Sequence, residues 1–107
     1  MSSVTSALSD VAASLSPDEL TKKVDEIKAA GNERFLKGDY TQAKALYTDA
    51  LSLNPNIVAI YSNRAICELK LEQYGLAIAD ATKAIELDAT FAKAYYRRAC
   101  AHLAILD

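Results

Sequence analysis

The chain has 107 residues, enough for one domain around a single core. Apolar residues make up 51%, which excludes wholesale disorder; three Gly and two Pro among abundant Ala, Leu, Lys and Glu favour helix almost throughout. A formal charge of −2 removes any bulk electrostatic case for nucleic acid or an acidic membrane, so an anion site has to be local and built against the net sign.

Residues 1–15 are rich in Ser and Ala. Val4, Leu8, Val11 and Leu15 keep helical spacing, but Ser is a poor helix former and the segment lacks charge pairs. The expectation is a flexible tail over residues 1–16, with a weak helix as the alternative. Ser16-Pro17-Asp18-Glu19 is a strong start signal: Ser16 can cap, Pro17 suits the first helical position, and Glu19 completes a capping box. This helix should run to about residue 37 and stop at Gly38-Asp39. Asp39 can cap a helix over residues 40–53, which Asn54-Pro55-Asn56 breaks. Further helices are expected at about 57–71, at 74–87, and from near Phe91 onward, with a break at residues 88–90. β-branched residues form no alternating run, so the class is all-α.

Helix–turn–helix twice over, plus one helix, invites a search for a repeat. At an offset of 34 residues, Val24, Tyr40, Ala43, Ala45, Thr48, Ala50 and Leu53 fall on Val58, Tyr74, Ala77, Ala79, Thr82, Ala84 and Leu87. The same offset sets Tyr61, Arg64, Ala65 and Leu69 on Tyr95, Arg98, Ala99 and Leu103. A 34-residue helical pair with Gly31 at the close helix crossing, Ala43, Tyr47, Ala50 and Pro55 resembles the tetratricopeptide repeat, TPR. The resemblance implies a TPR superhelix over residues 17–107: repeats at 24–57 and 58–91, and the first helix of a third at 92–107. Ala81 and Ala89 depart from the pattern, where a larger aromatic and a Pro are common; small-residue packing and the break at 88–90 can serve instead.

Numbered within each repeat, positions 2, 5, 6 and 9 of the first helices cluster opposite the core side at about 100° per residue. Stacked first helices line the concave wall, so these positions form a groove floor. They carry Lys28, Asn32, Asn63, Lys93 and Arg97, with small Cys100 beside them. Lys93 and Arg97, four residues apart, stack on one helix face with no acid at that spacing, an arrangement suited to an anion. Helix geometry alone also allows ordinary solvated cations.

The five residues match, one for one, the two-carboxylate clamp of TPR co-chaperones. The resemblance implies that Lys28, Asn32, Asn63, Lys93 and Arg97 hold the C-terminal Glu-Glu-Val-Asp tail of heat-shock protein 90 or 70. Phe35, Leu36 and Tyr96 could form an apolar shelf for the Val, although Phe35 could equally be core. Arg64 and Arg98 are expected to brace neighbouring helices. His102 has no partner at catalytic or metal spacing, and no catalytic motif is present, so the chain itself is expected to be neither an enzyme nor a cofactor binder.

YGLAIADATKAIELD, residues 74–88, and KAYYRRA, residues 93–99, resemble the TPR domain that precedes the catalytic domain of serine/threonine protein phosphatases. That implies an attached phosphatase, targeted and regulated by this module; a co-chaperone adaptor or scaffold without an enzyme is the alternative. Cys67 and Cys100 make no metal spacing and read as thiols of a reducing compartment. With no long apolar run and no leader, the expected setting is the cytoplasm, with the nucleus also open to it. The chain stops within the first helix of a third repeat. Tyr95, Ala99 and Leu103 are therefore expected to lack cover, giving marginal stability or self-association through that helix.

Overall fold

The computed structural model describes residues 3–106. Residues 1, 2 and 107, which belong to the expected tail and the last repeat, lie outside the described residues. Six helices occur among those described: α1 (Ser3–Ser14), α2 (Pro17–Leu36), α3 (Tyr40–Leu53), α4 (Val58–Lys70), α5 (Tyr74–Leu87) and α6 (Ala92–Leu106). Short turns make α2–α3 and α4–α5 antiparallel pairs, and the pairs stack into an elongated body of 46 × 28 × 27 Å.

Local chemistry sets the boundaries. Ser16 Oγ accepts from the Glu19 N–H at 3.2 Å, and the Glu19 carboxylate accepts from the Ser16 N–H at 2.9 Å, closing the expected box at the start of α2. α2 ends where Gly38 takes a φ of +78° and the Asp39 N–H reaches back to the Arg34 carbonyl at 2.9 Å. Asp39 then caps α3 by accepting from the Gln42 N–H.

The repeat is visible in hydrogen bonds as well as in letters. Tyr61 Oη donates to the Pro55 carbonyl at 2.8 Å, and Tyr95 Oη, one period later, donates to that of Ala89 at 2.9 Å. Asn54 Oδ1 accepts from the Asn56 N–H, as Asp88 Oδ1 does from the Thr90 N–H and hydroxyl. The turn at Ala89 therefore forms without the proline, as expected. Arg64 donates to Thr48 Oγ1, and Arg98 donates to Thr82 Oγ1. Both arginines brace neighbouring helices.

The N-terminal segment departs from expectation, and one turn residue is strained. The segment expected as a tail is helical over Ser3–Ser14, and Leu8 and Ala12 pack on the core. Apolar burial against α3 supplies what Ser-rich propensity lacks. Glu72 occupies the register of Gly38 and carries a φ of +60°, a left-handed conformation that costs an L-residue with a Cβ roughly 1 kcal/mol. Glu72→Gly is expected to stabilise the domain by about 0.5 kcal/mol after the greater flexibility of unfolded glycine is offset. A thermal melt should register this as a rise of a few degrees in Tm; a lower Tm would refute it.

The core runs through Val24, Tyr47, Leu51, Leu53, Ile60 and Tyr61, joined by a series of fully buried alanines. At the far end Tyr95 is 43% exposed and Leu103 64% exposed, with Ala99 also exposed, so the outer face of α6 lies open as expected.

Candidate functional site

The first helices of the repeats, α2, α4 and α6, carry all five expected groove residues. Asn32 on α2 and Asn63 on α4 come together on the rim of a pocket of about 170 Å³. Its remaining lining is Phe35, Leu36, Tyr47 and Ile66. The pocket is thus an apolar hollow edged by two amides, each with two N–H donors to offer. Phe35 lines the pocket and also packs on the core, meeting Tyr40 edge to face, ring centroids 5.4 Å apart. Leu36 is almost wholly exposed beside it.

The three cations stand outside this hollow. Lys28 is half-buried and Lys93 exposed. Arg97 lays its guanidinium over the Tyr96 ring, 5.3 Å from the centroid, and its buried Nε has no hydrogen-bond partner. Tyr96 is 63% exposed and does not line the pocket, so its contribution is to seat Arg97. Among the described residues only two lysine or arginine contacts to a carboxyl group lie within ion-pair distance, Lys44 with Glu68 and Arg64 with Asp80. Lys28, Lys93 and Arg97 are therefore all without a carboxylate partner, in a protein of net negative charge. Unpaired cations and amide donors on one helical face can receive carboxylates through charge-assisted hydrogen bonds.

Two pocket residues escaped the sequence reading. Ile66 occupies position 9 of the second repeat, the register that picked out Asn32, and that same count would have found it. Tyr47 read only as the aromatic position of α3; the structure turns its hydroxyl to Asn32 Oδ1.

The other reactive groups are quiet. Cys67 is fully buried, and burial, with Glu68 alongside, pushes its thiol up to about 11, so it stays protonated. Cys100 is a half-buried free thiol and His102 is exposed. Among the described residues no cluster of His, Cys, Asp and Glu could hold a metal ion, and no helix is long and apolar enough to cross a membrane.

Comparison with known proteins bears on both fold and groove. A family model for the tetratricopeptide repeat matches residues 29–57 and 58–91. Over 88 residues the chain is 42% identical to serine/threonine-protein phosphatase 5 of Homo sapiens, covering 82% of this chain and 18% of that protein. The chain spans less than a fifth of the length of the curated relatives it matches. Among solved structures, the TPR2AB-domain:pHSP90-complex of yeast Sti1 superposes with a TM-score of 0.80 at 36% identity, covering 94% of this chain and 36% of that one. The first TPR of Spaghetti (RPAP3), bound to the HSP90 peptide SRMEEVD, superposes with a TM-score of 0.77 at 31% identity, covering 78% and 67%. The 34-residue register, its recurring hydrogen bonds and the family match over residues 29–57 and 58–91 agree: the chain belongs to the tetratricopeptide repeat family.

Proposed function

We propose that the groove binds the C-terminal Glu-Glu-Val-Asp tail of heat-shock protein 90 or 70, with Lys28, Asn32, Asn63, Lys93 and Arg97 as a two-carboxylate clamp. The observation that carries this reading is a set of three cations without a carboxylate partner at groove positions of α2 and α6, together with a pocket lined by two asparagines from α2 and α4. A C-terminal aspartate brings two carboxylates close together. Asn32 and Asn63 donate to them, Lys28 and Lys93 supply charge, and Arg97 bonds the acids or backbone of the tail. The Val side chain enters the hollow between Phe35, Leu36 and Ile66. The similarity to a TPR domain solved with an HSP90 peptide ending in EEVD supports the assignment.

The likeness to a phosphatase relative supports a further step: the module targets and regulates a serine/threonine phosphatase domain in a longer cytoplasmic protein. A co-chaperone adaptor with no enzyme attached is the alternative, and the downstream sequence of the natural gene product separates the two. The open face of α6, with Tyr95 and Leu103, supports self-association as an additional contact.

Calorimetric titration with a pentapeptide ending in Met-Glu-Glu-Val-Asp tests the clamp. Several charge-assisted bonds, less the cost of ordering an extended peptide, correspond to roughly micromolar affinity. Amidation of the C-terminus should abolish binding, and added salt should weaken it. Lys93→Ala and Arg97→Ala should each weaken it about tenfold or more, the loss of one bond to a charged group. Unchanged affinity in both variants would assign the groove to some other ligand.

A further inference from the structure

Tyr47 lies beneath the groove pocket, 1% exposed, on α3 against Gly31 and Asn32 of α2. A Cβ at Gly31 would stand 2.8 Å from Tyr47 Cε1 and 3.0 Å from Cδ1. The missing side chain is therefore what lets the ring slide under α2 far enough for its hydroxyl to reach Asn32 Oδ1. A phenol this deeply buried has to donate its proton to a protein acceptor or lose a hydrogen bond, and Asn32 Oδ1 is the acceptor it has. Burial also pushes the Tyr47 hydroxyl up to about 12, with Cys67 adding to the effect, so the phenol remains a donor at any physiological pH.

The consequence falls on the amide. The Asn terminal torsion is broad and roughly two-fold, so an untethered amide can present either its oxygen or its NH2 group. The Tyr47 bond occupies the oxygen and leaves both N–H donors for the groove. Asn63, the other amide on the rim, has no such bond among the described residues, and the register equivalent of Tyr47 is Ala81. The two amides therefore differ: one has a fixed polarity and the other is free to turn.

We propose that Tyr47 is a positioning residue that locks Asn32 as a donor, so that Asn32 accepts a carboxylate and rejects a ligand group that carries its own N–H. This rests on the carboxylate-clamp reading of the groove. The tether removes the need to fix the amide at the moment of binding, and it puts the carbonyl, which would repel an anion, out of reach.

Tyr47→Phe deletes the hydroxyl and keeps the ring. Two readouts on the full chain decide the proposal. In nitrogen–proton correlation spectra the side-chain NH2 pair of Asn32 should shift in Tyr47→Phe without ligand present, while backbone signals away from the pocket stay in place. Affinity for the free-acid pentapeptide should fall about five- to tenfold, the equivalent of one hydrogen bond. Asn32→Ala should lose at least as much, and the double variant should bind no worse than Asn32→Ala alone, because the hydroxyl acts only through the amide. An unshifted Asn32 NH2 pair, or losses that multiply in the double variant, would overturn the proposal. Failure of the wild-type chain to bind the peptide overturns the clamp reading instead, and the NH2 signals still decide whether the hydroxyl orients Asn32.

Discussion

Asp80→Ala is expected to cost the domain about 3 kcal/mol and to lower its Tm by roughly 10–20 °C. Arg64 Nε and one terminal guanidinium nitrogen donate to the two oxygens of Asp80, each at 2.7 Å. The other terminal nitrogen donates to Thr48 Oγ1 at 3.2 Å. One side chain thus ties α3, α4 and α5 together. The two side chains are 20% and 9% exposed, so water screens the pair only in part. Burial works most strongly against the guanidinium charge, and the Asp80 bonds and charge, with Glu68 and Tyr61 nearby, together more than offset it, leaving Arg64 held more firmly protonated than a free arginine. Removing the acid leaves a desolvated cation without its hydrogen-bonded counter-charge, which is where the large penalty arises. Replacing both residues, as Arg64→Leu with Asp80→Leu, should recover much of the loss, because neither charge is then stranded. An Asp80→Ala melt within a degree or two of wild type would show that the pair contributes no more than a surface ion pair does.

Stability should also fall by roughly 3 kcal/mol as pH rises from 5 to 8, opposite to the trend set by paired carboxylates. The source is Glu68, 3% exposed on α4. Burial first, and then the hydrogen bond and charge of Asp80, push its carboxyl up to about 8; Lys44 at 3.5 Å and Arg64 pull the other way without overcoming burial. Between the ordinary glutamate range and pH 8 the folded chain holds a proton that the unfolded chain has released. Each step up in pH through that window therefore favours unfolding. The contribution is complete below about pH 4.5 and lost once pH passes the folded value near 8. Glu19 and Asp88 are shifted downward by their capping partners, and their opposite effect is confined to acid pH. Urea denaturation at pH 5, 6, 7 and 8 measures the slope, and Glu68→Gln, which keeps the shape and cannot titrate, should flatten it. A wild-type profile that is flat or rising over this range would overturn the assignment.

Glu68 and Asp80 also mark where sequence reading stops. The helices whose ends are written in side-chain chemistry were legible: Ser16 and Glu19 open α2, Gly38 closes it, Asp39 opens α3, and the bounds of α3 and α5 follow from the repeat. The meeting of Asn32 and Asn63 at one pocket was legible because a register position and a helical face are both arithmetic on residue number. α1 was not, because its stability lies in contacts made by Leu8 and Ala12 across the fold and not in its own propensity. Nor could the letters place two acids in the interior. Glu68 has the composition of a solvated helix residue, and only the packing of α3 and α5 on α4 removes its water. The Tyr47–Asn32 bond is similar, since it joins residues that each already had an adequate explanation, one as core and one as groove.

The buried alanines carry a further consequence. Eight of the fifteen buried apolar residues among those described are alanine: Ala43, Ala50, Ala65, Ala77, Ala81, Ala84, Ala94 and Ala101, each with no exposed surface. Such an interior has little side chain to trim, so truncating substitutions have few places to act. It has equally little space to accept an added methylene, because each of these side chains is already fully enclosed. Tolerance to change in this chain is therefore lopsided. Drift toward larger side chains is blocked at more than half of the core, while the groove face can vary freely, which lets one rigid frame be refitted to new ligands without being rebuilt.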